Sequence, residues 1–171
     1  MSSFEPELWT ASFTGEKEEV QRLVAEGADV CALNTRGDTA LHGAVEGDHS
    51  EIVQLLLENG AQVNHQGHGG DSPIFTAAQW GRVAVVKLLL GRGALLNLKT
   101  ETGETPLHRA VRWGQTEILL MLLAEGADLL AKNNSGKTPE DLASTRGQYR
   151  VVEHLRVEGA RRAQRQEVWA S

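Results

Sequence analysis

Several stretches of the 171-residue chain carry side chains at spacings that chemistry uses. Asn134, Ser135, Gly136, Lys137 and Thr138 look like the end of a phosphate-binding loop, in which backbone amides cradle phosphates while Lys and Thr meet phosphate and magnesium. The spacing fails, because the first glycine of that motif falls at Ala131 and no strand pattern precedes it. His42 and His108 are of the type that serves as a general base or zinc ligand near neutrality. His65 and His68, beside Gly67, Gly69, Gly70 and Asp71, have a weak metal-binding look, but two histidines with no cysteine nearby fall short of a metal set. Cys31 has no His or Asp constellation next to it in sequence, so no nucleophile is indicated. No acid-base pair and no complete ligand set emerges, and the expectation is a protein that is not an enzyme and needs no cofactor or metal.

The elements that must position these side chains repeat. Gly-Ala recurs at Gly27-Ala28, Gly60-Ala61, Gly93-Ala94, Gly126-Ala127 and Gly159-Ala160, each 33 residues after the last. A second signature keeps the same step: Thr39-Ala40-Leu41-His42-Gly43-Ala44, Ser72-Pro73-Ile74-Phe75-Thr76-Ala77, Thr105-Pro106-Leu107-His108-Arg109-Ala110 and Thr138-Pro139-Glu140-Asp141-Leu142-Ala143. A fixed period of this length marks a repeat architecture. Thr39, Ser72, Thr105 and Thr138 stand where a hydroxyl would cap a helix, and Pro73, Pro106 and Pro139 where the first helical residue needs no amide donor. That short helix should end near Gly81, Gly114 and Gly147, since glycine takes the left-handed conformation cheaply. A second, more apolar helix follows, as in Val83 to Leu90 or Glu117 to Leu123, and stops at the Gly-Ala pair. A loop rich in turn formers then leads into the next unit. In one unit the glycine position holds Asp48, with Gly47 one residue early. Either the turn differs there, or Asp48 adopts the left-handed conformation that Asp tolerates better than most residues.

These residues resemble the ankyrin repeat, opened by Thr-Pro-Leu-His-x-Ala and closed by Gly-Ala, over about residues 4 to 165. The resemblance implies an all-α solenoid of period 33 in a single domain: internal units at 37–66, 70–99 and 103–132, an N-terminal cap unit at 4–34, and a C-terminal cap unit at 136–168 with an Arg-rich helical tail. The first unit keeps Leu8, Ala11 and Gly15 without the Thr-Pro opening, and the last replaces Leu and His by Glu140 and Asp141, departures that suit end units presenting a polar face. The resemblance also implies that His42 and His108 brace the neighbouring hairpin, with Phe75 and Asp141 standing in their place elsewhere. Asn64 and Asn97 occupy the hairpin position that resembles substrates of an asparaginyl hydroxylase, but the acidic residue two places earlier is absent, which favours a hydrogen-bonding role.

In the ankyrin pattern, first-helix ends and hairpin residues on the concave face are free of framework duties and bind partners. The positions are Arg36, Asp38, Glu46, Asp71, Gln79, Trp80, Glu104, Arg109, Arg112, Trp113 and Arg146, with His68, Glu101, Lys137 and Thr145 beside them. Trp80 and Trp113 are 33 residues apart, so they fall on adjacent first helices where the framework demands no large aromatic. With Arg109 and Arg112 they have the composition of a binding hot spot. The alternative is that each Trp merely covers its neighbouring unit.

Charge is distributed unevenly: residues 1–58 hold 12 acids and 3 bases, residues 59–145 hold 8 of each, and residues 146–171 hold 3 acids and 6 Arg. The acidic body disfavours duplex nucleic acid as a partner for anything except the Arg-rich tail. The tail Arg161 to Trp169 reads as a helix extension, with Trp169 as an alternative anchor in another protein. The opposite charges of the two ends also permit head-to-tail association, although a monomer is the default. No apolar run approaches the roughly 20 residues of a membrane span, the acidic start lacks signal-peptide regions, and a lone Cys31 fits a reducing compartment. The expectation is an intracellular protein of the cytoplasm or nucleus with no membrane contact.

The leading reading is a non-enzymatic adaptor that binds a partner protein across the concave face through Trp80, Arg109, Arg112 and Trp113, the ligand carrying acidic and apolar residues. The alternatives are a steric regulator of an enzyme such as a kinase, and a small structural subunit of a hetero-complex docked through its tail.

Overall fold

The structure, a computed structural model, describes residues 4–170 and, at the level of side chains, residues 7–165. Among the described residues there are no strands. The helices are α1 (Phe4–Thr14), α2 (Lys17–Ala25), α3 (Ala40–Glu46), α4 (Ser50–Glu58), α5 (Pro73–Trp80), α6 (Val83–Gly91), α7 (Pro106–Arg112), α8 (Thr116–Ala124), α9 (Pro139–Thr145) and α10 (Tyr149–Ala170), with one 3-10 turn at His68–Gly70.

Each short helix starts as its sequence dictates. Pro73, Pro106 and Pro139 open α5, α7 and α9 behind residues in extended backbone. The Thr105 hydroxyl accepts from the His108 amide (3.5 Å) and the Thr138 hydroxyl from the Asp141 amide (3.2 Å). His108 Nδ1 and the Asp141 carboxylate each return the bond to the capping residue's own amide, at 3.2 and 2.9 Å, which closes a reciprocal capping box. Ser72 departs from this expectation. Its backbone caps α5, but its hydroxyl is buried and has no hydrogen-bond partner among the described residues. The residue three positions on is Phe75, whose ring has no group with which to complete the box.

At the turn between paired helices Gly81, Gly114 and Gly147 have φ of 73°, 69° and 67°. Asp48 takes the same conformation at φ 65°, the one non-glycine with positive φ among the described residues. The preceding Gly47 is required for a different reason: a Cβ there would lie 2.4 Å from the Phe13 backbone oxygen.

The first helices of successive units (α1, α3, α5, α7, α9) pack side by side in one row, and the second helices (α2, α4, α6, α8, α10) form a second row behind them. The core lies between the rows, built from Leu41, Ile74 and Leu107 on one side and Val53, Leu56, Val86, Leu89, Leu119 and Leu122 on the other. Loops between units close with the same bond at each step: the amides of Asn34, Gly67, Thr100 and Asn133 donate to the carbonyls of Asp38, Asp71, Glu104 and Lys137, at 2.9 to 3.0 Å. Side-chain hydrogen bonds between units span 28 to 39 residues, roughly one period. The last helix runs for 22 residues where the other second helices run for nine. Within its extension Arg162 donates to the carbonyls of Leu123 (2.7 Å) and Ala127 (2.8 Å), serving the C-terminal end of α8. Trp169 lies outside the described side chains.

Candidate functional site

His42, His65 and His108 are framework groups. His42 Nδ1 accepts from the Thr39 amide (3.2 Å), which leaves the proton on Nε2 to be donated to the Asp71 carbonyl (3.1 Å). His108 repeats the arrangement one pair of units later, accepting from Thr105 and donating to the Lys137 carbonyl (3.0 Å). Burial holds both imidazoles below the ordinary histidine value, so both are neutral where a free histidine begins to protonate. His65 spends its Nε2 on the Gly37 carbonyl (3.1 Å). Among the described residues no group of three or more His, Cys, Asp or Glu is placed to hold a metal ion. Asn64 accepts from the Leu95 amide (2.8 Å) and donates to the Gly93 carbonyl (3.1 Å), and Asn97 accepts from the Asp128 amide (2.9 Å), ties between successive loops that give each asparagine a hydrogen-bonding role.

The row of first helices and the loops beside it carry most of the residues expected to bind a partner. Trp80 is the last residue of α5 and Trp113 the C-cap of α7, equivalent places on packed neighbours, and they are 47% and 54% exposed. Such indoles leave large, rigid apolar faces in water. Arg146 is exposed at the end of α9.

Arg109 and Arg112 are both engaged within the fold. The Arg109 guanidinium lies 4.1 Å from the centre of the Phe75 ring, donates to Gln79 Oε1 (3.0 Å), and approaches Asp71 (3.9 Å) and Glu104 (3.7 Å). Arg112 pairs closely with Glu104, which is only 3% exposed. Phe75 stands where two other units place His42 and His108, and its ring gives Arg109 a flat apolar seat in exchange for the lost hairpin bond. Asp38 is likewise buried, accepting from the His68 amide (2.9 Å) and pairing with Arg36 (3.2 Å). The two arginines that made an acidic ligand attractive are thus already neutralised from within.

What remains is a cavity of about 130 Å³ between α3, α5 and the loops before them, lined by Arg36, Asp38, Glu46, Asp71, Gln79 and Trp80, together with His42, His68 and Thr76. Burial raises the Asp71 carboxyl above the usual range, with the Arg109 charge opposing the shift. Next to it lies a larger hollow of about 540 Å³, walled by Trp9, Phe13 and Leu33 and sharing Arg36 and Glu46 with the first. Trp9 and Phe13 stack with ring centres 5.2 Å apart, and Arg36 lies 5.8 Å over the Trp9 ring. Sequence reasoning missed this hollow because it belongs to the unit that lacks the Thr-Pro opening. The available signal was the four-residue spacing of Trp9 and Phe13, which puts both on one side of a helix.

No described helix is long and apolar enough to cross a membrane. No curated protein matches the chain. A family model described as ankyrin repeats (3 copies) matches residues 8–100, 66–133 and 92–163. Domains of that family are generally protein–protein interaction modules, and they are typically non-enzymatic. The helix pairs, the bracing histidines and this match agree, and the chain belongs to the ankyrin-repeat family.

Proposed function

We propose that the protein is a non-enzymatic adaptor that binds a partner protein across the face formed by its first helices and loops. The observation that carries the reading is the pair Trp80 and Trp113, half-exposed on neighbouring helices while the aliphatic side chains Ile74, Leu107 and Val111 of the same helices are fully buried. Leaving two large apolar rings in water gains nothing for folding, whereas burying them on contact is the commonest source of binding energy at interfaces. Gln79, Arg36 and Glu46 line the hollow beside Trp80 as polar rim.

The test is affinity capture from native lysate with the wild type beside a Trp80→Ala, Trp113→Ala double variant, after both are shown to fold with the same unfolding midpoint. Each indole is expected to contribute more than about 2 kcal/mol to partner affinity and little to folding. Equal capture by both proteins would move the interface to the tail or the opposite face. Loss of folding with unchanged binding per folded molecule would make the tryptophans packing residues.

A further inference from the structure

The two hollows on the first-helix face are contiguous, and one residue lines both in an unusual electrical position. Glu46 is the last residue of α3, where the helix dipole is negative and a carboxylate is disfavoured. Among the described residues it has no salt-bridge partner. Arg82, which reaches this helix end, donates to the Glu46 backbone carbonyl (2.8 Å) and pairs with Asp48 (3.6 Å) rather than with the Glu46 side chain. Around the smaller hollow Asp38 is paired with Arg36 and Asp71 with Arg109, which leaves Glu46 as the lining carboxylate without a paired cation. The half-exposed Trp80 indole lines this hollow as well, with Gln79, Thr76, His42 and His68. A volume of about 130 Å³ is below the roughly 300–1,000 Å³ of small-molecule sites and suits one side-chain head group. The larger hollow is walled by apolar faces at Trp9, Phe13 and Leu33, of which Phe13 and Leu33 are exposed.

The fold already carries a copy of the contact such a site would make. Arg36 places its guanidinium between a carboxylate (Asp38) and an aromatic ring (Trp9), and Arg109 does the same between Asp71 and Phe75. The face is built to hold cations against rings and acids, and Glu46 with Trp80 forms such a setting without an occupant from the chain itself.

We propose that this two-part groove takes a linear protein segment that carries a Lys or Arg beside an apolar side chain, the cation entering between Glu46 and Trp80 and the apolar group resting on Trp9, Phe13 and Leu33. The inference rests on the adaptor reading and names the chemistry of the partner. It replaces the acidic ligand suggested by Arg109 and Arg112, whose charges are spent on Glu104 and Asp71.

The experiment pans the full chain against a display library of random linear peptides and repeats the selection with Glu46→Lys. That substitution puts a cation at the C-terminal end of α3, where the dipole favours it, and an unchanged unfolding midpoint separates loss of binding from loss of fold. The expected result is enrichment of sequences with Lys or Arg next to Leu, Ile or Phe, weaker binding at high salt, and at least about a fivefold loss of affinity in Glu46→Lys. Peptides that depend on Trp80 and Trp113 but show no basic preference, or that bind Glu46→Lys equally well, would overturn the inference and leave the adaptor reading intact. A selection that enriches no peptide over an unrelated protein would overturn the linear-segment claim, while the lysate capture with the tryptophan variant decides the adaptor reading on its own.

Discussion

His108 and Lys137, 29 residues apart in sequence, are joined by a bond of 3.0 Å from the imidazole Nε2 to the backbone carbonyl, and His42 joins Asp71 over the same interval at 3.1 Å. In each case the other ring nitrogen accepts an amide proton, so the brace requires a neutral ring. Protonation would set a donor against a donor in a buried place.

Stability should therefore fall in mild acid. Both imidazoles titrate below the ordinary histidine value because they are buried, so the unfolded chain takes up protons first as pH falls. The stability these rings supply is complete above about pH 6.5 and is lost as pH drops from there through their folded values. Asp71, shifted upward by burial, works in the opposite sense at lower pH, where the folded form holds its proton more tightly than the unfolded chain. Urea midpoints measured between pH 8 and pH 5 should decline, and a His42→Gln, His108→Gln variant should show a flatter profile from a lower starting point.

Adjacent substitutions at the second turn should act in opposite directions. Asp48→Gly relieves a left-handed residue that is held by a long pair to Arg82 (3.6 Å), and is expected to raise stability by about 1 kcal/mol or less. Gly47→Ala drives a methyl to 2.4 Å from the Phe13 backbone oxygen and should cost more than about 2 kcal/mol. Chemical denaturation of the two single variants checks both signs.

The buried Glu104 should weigh on folding more than on binding. Its carboxylate answers both Arg112 and Arg109, so Glu104→Ala leaves two guanidinium groups short of a partner and should cost about 3 kcal/mol of stability. Exchange of Arg109 for Ala removes the cover of Phe75 as well. Thermal melts of each variant, made before any binding assay, distinguish this from a hot-spot effect. A variant that melts like the wild type would return these residues to the free surface.

Two capping positions of the same pattern should respond differently. Thr105→Ala deletes an acceptor and its reciprocal partner's anchor, with an expected cost of about 1 kcal/mol. Ser72→Ala removes a buried hydroxyl that has no partner and should be neutral or slightly stabilising. The difference between the two melting temperatures is the measurement.

The period, the helix starts and the glycine turns were legible because each is set within one unit by proline, a hydroxyl or a positive φ. The bracing role of His42 and His108 followed from the resemblance and holds in the bonds described above. The fate of Arg109 was not legible, since it depends on a Phe75 exchange one unit earlier and on a Glu104 turned inward from the adjoining loop. The hollow at Trp9 and Phe13 was hidden for a related reason: its walls come from three elements, and one of them is the unit that departs furthest from the pattern. Residues whose duties lie within a repeat can be read from a single copy, whereas those between repeats require the register of both neighbours.

The bonds that tie one unit to the next reach about one period along the chain, and this sets how the molecule responds to being pulled. Among the described residues the helix pairs in substantial contact lie within a unit or in adjacent units, and none of them joins α1 to α10. Tension applied at the termini would meet each seam in turn, and the array should yield as a staircase of separate ruptures, every step releasing one unit and roughly 100 Å of slack chain. An outer unit should let go and re-seat while the inner ones stay folded.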